Sequence, residues 1–185
     1  MGLSHSGPPE LYAAVQQAID MARANGRTIF HEGIGFDSSR KPTTSQVRQA
    51  LDTLLTVLHT NWERPLQQGY VSETHSYRLP EDAVCADVHV VELAEFCVQH
   101  RLFEHVKPRQ VLACLQGTCN DREVIRKIDE VFIARRNMHT LVEIIRHSGD
   151  SLVLYGEAHI GGLKRWLVKF EDWECLNQDS YYTLQ

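Results

Sequence analysis

The stretch NDREVIRKIDEVFIARRNMHTLVEII (residues 120–145) decides the predicted fold. Its apolar residues recur at positions 124, 128, 131, 138, 142 and 145, and Arg135 occupies the one polar position of this stripe. Such spacing places the apolar side chains on one face of a helix. A strand over 138–147 is the alternative, because Thr140 to Arg146 is rich in β-branched residues. Strict alternation fails there, so we expect a helix.

The next stretch, SLVLYGEAHIGGLKRWLVKF (residues 151–170), predicts a change to strands. Ser151 to Glu157 and Leu163 to Phe170 form the best strand pair, and residues 159–162 contain the glycines that a hairpin turn favours. An isolated hairpin is marginally stable, so it must pack against helices.

Further helices are predicted upstream of residue 120. Pro9 marks the start of one that ends at Gly26, and a second spans about 44–62 with Val47, Leu51 and Leu58 on its apolar face. A third starts at Pro80 and ends at Lys107-Pro108, where a short fourth begins. The predicted fold class is therefore α+β, mostly α: a four- to five-helix bundle with a C-terminal antiparallel β-hairpin.

Size and composition indicate one ordinary globular domain. The 185 residues carry a net charge of −5, with 43% hydrophobic residues. We expect a disordered N-terminus over 1–9, a single domain over 10–170 with the hairpin at about 151–170, and an acidic tail over 171–185. No apolar run approaches the roughly 20 residues that cross a bilayer. The five cysteines lack a C-x-x-C spacing, which favours reduced thiols in a cytoplasmic protein.

Basic charge concentrates in one region of this acidic chain. Residues 101–170 contain 12 Lys/Arg and 8 Asp/Glu, a net +4. A basic helix beside a basic hairpin can hold phosphates, so a nucleic-acid or anion site is one hypothesis. Interleaved acidic residues favour a solvated face instead. The candidate anion-binding residues are Arg122, Arg126, Arg135, Arg136, Lys164 and Arg165.

A metal site is a second hypothesis. On the predicted third helix, Cys85, His89 and Glu92 share a face at i, i+4 and i+7, and His139 lies on the predicted long helix. Thiolate, imidazole and carboxylate are zinc ligands, so convergence of these four side chains would bind zinc or a similar metal. No cofactor is predicted without that convergence.

Two further sets of residues are suited to acid–base chemistry. His31, Glu32 and Asp37 lie in a glycine-bearing loop, where the glycines alone explain the turn. On the predicted hairpin, Asp150, Glu157 and His159 resemble a nuclease pattern poorly, because His159 stands where a lysine is expected.

The sequence contains no specific catalytic motif. The heptad-like stripes and the polar Arg135 within one of them favour a non-enzymatic interaction or regulatory module that self-associates or binds a protein partner. The alternatives are a nucleic-acid-binding regulator that uses the basic 101–170 region and a metal-dependent enzyme centred on Cys85, His89 and Glu92. No membrane partner is expected.

Overall fold

The chain forms two compact units in the computed structural model, which describes residues 2–3, 6–63, 66, 68–73, 76–147 and 149–170. Unit 1 comprises Met1–Gly33, Leu66–Asp87 and His139–Gln185. Unit 2 comprises Ile34–Pro65 and Val88–Met138. The predicted acidic tail, 171–185, lies outside the described residues, and the predicted domain boundaries stay a prediction.

The strands are short and the helices more extensive. The strands are β1 (Gly2–Leu3), β2 (Ser6–Gly7), β3 (Thr28–His31), β4 (Val71–Ser72), β5 (Val84–Cys85) and β6 (Ser151–Gly156). The helices are α1 (Pro9–Ala24), α2 (Ser45–Trp62), α3 (Val90–Gln99), α4 (Leu102–His105), α5 (Pro108–Leu115), α6 (Arg122–Ile128), α7 (Arg135–Ile145) and α8 (Glu157–Phe170), with a π-helical segment, Asp129–Ala134, between α6 and α7. Within the described part of the chain, each helix is too short or too polar to cross a membrane.

Unit 1 is built on a parallel sheet with strand order β1-β6-β3-β5. In the central pair, Thr28 lies opposite Ser151 and His31 opposite Leu154. One face of this sheet packs on α1, where Leu154 joins Val15 and Ile19 in a buried cluster. The other face packs Phe30 against side chains of α7 and α8. Helices on both faces are what a parallel sheet requires. A separate antiparallel pair joins β2 to β4.

Unit 2 is helical and has its own apolar core. The contact between α2 and α3 is its most extensive, and α5, α6 and the π-helical segment complete the packing. Leu54, Leu93, Val111 and Val131 are completely buried in this core. The Thr44 side chain accepts a hydrogen bond from Val47 N at 3.1 Å and caps α2. The predicted second helix is confirmed.

The predicted bundle with a C-terminal hairpin is wrong, although the α+β class is correct. Residues 151–156 do form a strand, but residues 157–170 form helix α8. Ile160, Leu163 and Leu167 are buried at helical spacing against the sheet. Gly161 and Gly162 continue the helix and adopt no positive φ, so the predicted turn is absent.

The predicted third helix also differs from the structure. Residues 84–85 form β5, and helix α3 begins only at Val90. In the N-terminal segment 1–9, residues 2–3 and 6–7 form short strands and α1 begins at Pro9, and the disorder expected for this segment stays a prediction.

The long predicted helix is continuous from Arg122 to Ile145 but changes type within the π-helical segment. Its predicted apolar stripe is buried only as far as Val131. Beyond that segment Met138, Val142 and Ile145 are exposed, while Arg136 is buried and Arg135 exposed. Residues 138–147 are helical as far as Ile145, as predicted, and the strand alternative is wrong.

Candidate functional site

Polar side chains follow three neighbouring strands of unit 1 at their carboxyl ends. Glu32 directly follows β3, Asp87 comes two residues after β5, and Glu157 and His159 begin α8 directly after β6. These parallel strands end at the same edge of the sheet, the position where parallel α/β sheets bind ligands. We call Glu32, Asp87, Gly156, Glu157 and His159 the edge site.

Glu32 and His159 form the centre of the edge site. One carboxylate oxygen, Oε1, lies 3.7 Å from His159 Nε2, and the other, Oε2, accepts a hydrogen bond from Gly156 N. The side chains of Glu32 and His159 are only 13% and 4% exposed, respectively. The carboxylate and the imidazole therefore form a close acid–base pair that is largely closed to water.

Glu157 adds a second carboxyl group with an unusual environment. Among the described residues, nothing donates a hydrogen bond to its buried Oε2. Its position in the first turn of α8 is favourable, because the helix dipole stabilises an acid there. A buried oxygen without a donor is costly, and such exceptions call for an explanation. Glu157 is therefore suited to accept a hydrogen bond from a bound molecule.

Two buried hydroxyl groups, those of Thr140 and Tyr155, are hydrogen-bonded beside the edge site. Thr140 Oγ1 donates to the Tyr155 hydroxyl at 2.7 Å, and that hydroxyl donates to Ala86 O at 2.8 Å. The Tyr155 ring packs edge-on against the His159 ring with centroids 5.3 Å apart. The hydrogen bonds hold the Tyr155 ring in place, and its packing against His159 restricts the orientation of the His159 ring. Preorganisation of this kind is what a catalytic group needs.

Asp87 and Tyr77 complete the surroundings. Asp87 is 8% exposed, and its Oδ2 accepts a hydrogen bond from Gly33 N at 3.2 Å. Burial raises the pKa of Tyr77, and the negative charges of Glu73 and then of Glu32 raise it further. The Tyr77 hydroxyl donates to Glu73 Oε1 at 2.9 Å, so it remains a neutral hydrogen-bond donor. With the carboxyl groups of Glu32, Asp87 and Glu157, the edge site is rich in hydrogen-bond acceptors.

The predicted anion-binding residues are distributed over both units. Arg122, Arg126, Arg135 and Arg136 belong to unit 2, and Lys164 and Arg165 lie on the exposed side of α8 in unit 1. Arg126 contacts Glu123 at 2.9 Å and lowers the pKa of that carboxyl group. Arg135 Nε donates to His100 Nε2 at 3.1 Å. Nucleic-acid binding stays a prediction.

The helical face that motivated the metal hypothesis is absent. Cys85 lies on a strand of unit 1, and His139 lies on α7 in the same unit. His89 and Glu92 belong to unit 2, where they form a capping box at the start of α3: His89 Nδ1 accepts from Val91 N, and Glu92 Oε2 accepts from His89 N. Across the residues that the structure describes, no group of three His, Cys, Asp or Glu is arranged to hold a metal ion.

Sequence patterns singled out Glu32, Glu157 and His159 of the edge site, but they missed Asp87 and Gly156 and did not show that these residues converge. Glu32 was assigned to a loop set, and Glu157 and His159 to a hairpin set. The hydrogen bond from Gly156 to Glu32 joins residues 124 positions apart, so only the pairing of β3 with β6 brings the two sets together. An acid or histidine directly after each of two apolar strands was the available signal. No protein-family model, curated protein or solved structure matches this chain.

Proposed function

We propose that unit 1 is a catalytic unit whose edge site performs general acid–base chemistry on a small polar molecule. The observation that carries this proposal is the buried Glu32–His159 pair at the carboxyl edge of a parallel sheet. Structural ion pairs are usually exposed, whereas buried acid–base pairs in sheet-edge positions are characteristic of active sites. This differs from the non-enzymatic module that the sequence favoured.

The two groups of the pair have different roles in this proposal. Glu32 is the more exposed, at 13% against 4%, so its carboxylate is the group that takes a proton from water or from the substrate. His159 positions that carboxylate through the 3.7 Å contact between its Nε2 and Glu32 Oε1. The Gly156 N–H, which donates to Glu32 Oε2, keeps the carboxylate oriented.

The chemistry of the edge site also limits the substrate class. Glu32, Asp87 and Glu157 present carboxylate oxygens, and the unused Glu157 Oε2 calls for a hydrogen-bond donor. Anionic molecules would be repelled by this set. A substrate with hydroxyl, amide or ammonium groups fits it, and the proposed reaction is general-base catalysis, such as water activation against a polar bond.

A panel of chromogenic carboxylic esters, amides and glycosides tests the proposal. Glu32→Gln and His159→Asn keep the size of each side chain and remove its proton chemistry. We expect each to lower turnover of the accepted substrate at least ~100-fold, the lower end for a lost acid–base group. Glu143→Gln is the matched control, since Glu143 pairs with Arg146 away from the edge site. Absence of turnover by the wild type, or turnover that Glu32→Gln retains, would contradict the proposal.

Self-association, which the sequence predicted, has one observation in its favour. In unit 2, the rings of Phe36 and Trp62 pack at a centroid distance of 5.2 Å while their residues remain 46% and 55% exposed. Leu55, one heptad before Trp62 on α2, is also exposed. Exposed aromatic clusters are typical of protein contacts. Sedimentation velocity at micromolar concentration should show a dimer that Trp62→Ala dissociates and Trp166→Ala does not; a monomeric wild type removes this candidate.

A further inference from the structure

The chain reverses sharply between α5 and α6 of unit 2, and this turn brings two cysteines together. At the end of α5, Gly117 N donates to Cys114 O at 3.0 Å, and Thr118 N donates to Ala113 O at 2.8 Å. These two hydrogen bonds are those of the Schellman motif, which commonly ends a helix. They turn the chain back along the last turn of α5, so that Cys119, the next residue, lies beside Cys114.

The turn depends on a glycine. The φ of Gly117 is +69°, in the left-handed region that glycine adopts without steric cost. The Thr118 hydroxyl also donates to Ala113 O, at 3.1 Å, so a side chain and the backbone hold the same turn. The fold therefore fixes the position of Cys119 relative to Cys114, in addition to their spacing of five residues.

The two thiols are in contact at the edge of the unit 2 core. A side-chain hydrogen bond joins them, and it is the cause that, after burial, contributes most to raising the pKa of Cys114 to about 12. Cys114 and Cys119 are half-buried and pack against the same apolar cluster. Gly117 and Thr118, between them in the chain, are exposed. A small reagent can therefore reach the sulfur atoms from the turn, while the core holds them from the other side.

We propose that Cys114 and Cys119 are a redox-active dithiol, which low-molecular-weight disulfides oxidise to an intramolecular disulfide. The Cys119 thiolate attacks one sulfur of the small disulfide, whose S–S bond breaks, and the first small thiol leaves. Cys114 then attacks the Cys119 sulfur of this mixed disulfide, the Cys114–Cys119 bond forms and the second small thiol leaves. The protons of the two cysteines pass through water to the two released thiols. Both cysteines are oxidised, and one small disulfide is reduced to two thiols.

The environment of the two sulfur atoms determines the order of these steps. The thiolate is the nucleophile, and burial raises the pKa of Cys114, so Cys119 makes the first attack. Cys114 acts only in the second step, when the sulfur that it attacks is already its neighbour. That step is intramolecular, so proximity compensates for the small thiolate fraction of Cys114.

Oxidation of the native full chain with oxidised glutathione tests the proposal, with acid quenching, tryptic digestion and mass spectrometry. Arg109 and Arg122 are consecutive trypsin sites, so the peptide 110–122 contains both cysteines. We expect this peptide to lose two hydrogen atoms in mass. The tryptic peptide 79–101 contains Cys85 and Cys97 and is the internal control, because Cys97 is buried and should stay reduced.

Single serine variants separate the two steps. Cys114→Ser should accumulate a mixed disulfide at Cys119, because the thiol that would displace the small molecule is absent. Cys119→Ser should be modified at Cys114 at least ~10-fold more slowly, since burial keeps that thiol protonated. The chain unfolded in urea keeps the spacing of the two cysteines without the turn. We expect the equilibrium constant for the intramolecular disulfide to be at least ~10-fold higher in the native chain.

Gly117→Ala weakens the turn without altering either sulfur. A Cβ atom at this position has no neighbour within 4 Å among the described residues, so the effect is confined to the left-handed backbone. Gly26→Ala is the matched control, because Gly26 has a φ of +67°, equally open surroundings and a position after α1 in unit 1. We expect Gly117→Ala to lower the equilibrium constant at least ~5-fold and Gly26→Ala to leave it unchanged.

Two results would overturn the proposal: a native wild type whose peptide 110–122 forms no disulfide, or an equilibrium constant no higher in the native chain than in the unfolded one. The dithiol is a function beyond the chemistry proposed for the edge site and shares no residue with it. Because Glu32 and His159 are unaltered in every variant of this experiment, its failure is distinct from failure of the proposed function.

Discussion

Gly156→Ala is the substitution that most directly tests the geometry of the edge site. A Cβ atom at Gly156 would lie 2.9 Å from Glu32 Oε2 and 3.7 Å from both Glu32 Cδ and His159 Cδ2. The first distance is shorter than real Cβ contacts, so something must move. Gly156 has no positive φ, and alanine can adopt its backbone conformation. The cost is therefore steric and falls on the Glu32 carboxylate.

The expected loss of stability in Gly156→Ala follows from the hydrogen bond that Glu32 would lose. Its carboxylate can swing away from the methyl group only by losing the hydrogen bond from Gly156 N. A hydrogen bond to a charged group contributes about 1.5–3 kcal/mol. Alanine restricts the unfolded chain and returns about 0.4–1 kcal/mol. We therefore expect Gly156→Ala to lower the free energy of unfolding by about 1–2 kcal/mol.

Urea unfolding followed by circular dichroism measures this change, and Gly161→Ala is its matched control. Gly161 lies within α8 with no atom within 4 Å of its built Cβ, so alanine there should raise stability by about 0.5–1 kcal/mol through helix propensity. The same substitution is thus expected to act in opposite directions at two positions only five residues apart.

A double-mutant cycle with Glu32→Ala decides whether the clash is the cause. With the carboxylate removed, Gly156→Ala should no longer destabilise the protein, which gives a coupling energy of about 1–3 kcal/mol. If Gly156→Ala destabilises the Glu32→Ala background as much as the wild type, the added methyl does not act on Glu32, and the reasoning is refuted.

Three further predictions concern buried groups outside the Glu32–His159 pair. Burial raises the Cys97 pKa from 9.0 to about 12, so the thiol of the unfolded chain ionises first as the pH rises. The free energy of unfolding of the wild type, measured by urea titration, should therefore fall by about 1.4 kcal/mol between pH 8 and pH 10, and that of Cys97→Ala should not. Tyr155→Phe removes the hydroxyl that donates to Ala86 O and should cost about 1–3 kcal/mol in the same assay. His89→Ala should cost about 1 kcal/mol by thermal unfolding, while His89→Asn keeps most of the stability, because asparagine also accepts from the first-turn amides that His89 caps.

The helix over 122–145 shows how a correct element was given the wrong face. A π-helical turn bonds i to i+5, so it contains an extra residue relative to an α-helical turn. The segment Asp129–Ala134 therefore rotates the buried face. After it, burial continues at Arg136, Thr140 and Ile144 instead of the positions that a constant helical period assigns. A fixed 3.6-residue period does not allow for such an insertion. The sequence therefore predicts Arg135 in the apolar stripe, whereas Arg136 is the buried residue.

The error over 157–170 has a different physical origin. Gly161 and Gly162 are strong turn signals when only local propensity is considered. In the structure, Ile160, Leu163 and Leu167 bury against the sheet at helical spacing, and this tertiary packing outweighs the cost of two helical glycines. The other face of β6 packs on α1. The residues of β6 are therefore buried by helices, without the hairpin strand that the sequence predicted.

The edge site depends on parallel pairing, which a single sequence does not reveal. The chain between β3 and β5 contains residues 34–65 of unit 2, and the chain between β5 and β6 contains residues 88–138 of the same unit. Pairing over such separations leaves no local periodicity. The residue types at the strand ends were identifiable, but their convergence required the register in which His31 lies opposite Leu154.

The contrast between two buried histidines strengthens the argument for the edge site. His89 is explained by structure alone, because its ring caps α3 and donates from Nε2 to Asp37 O at 3.0 Å. His159, in contrast, lies inside the first turn of α8, where no capping role is available, and it faces a carboxylate. The donorless oxygen of Glu157 lies in the same turn. Departures from complete polar satisfaction are expected at functional sites. Burial of a histidine alone is therefore insufficient evidence of a catalytic role. The edge site is distinguished by two features together: His159 is paired with the buried carboxylate of Glu32, and in the same helical turn Glu157 Oε2 accepts no hydrogen bond from the described residues.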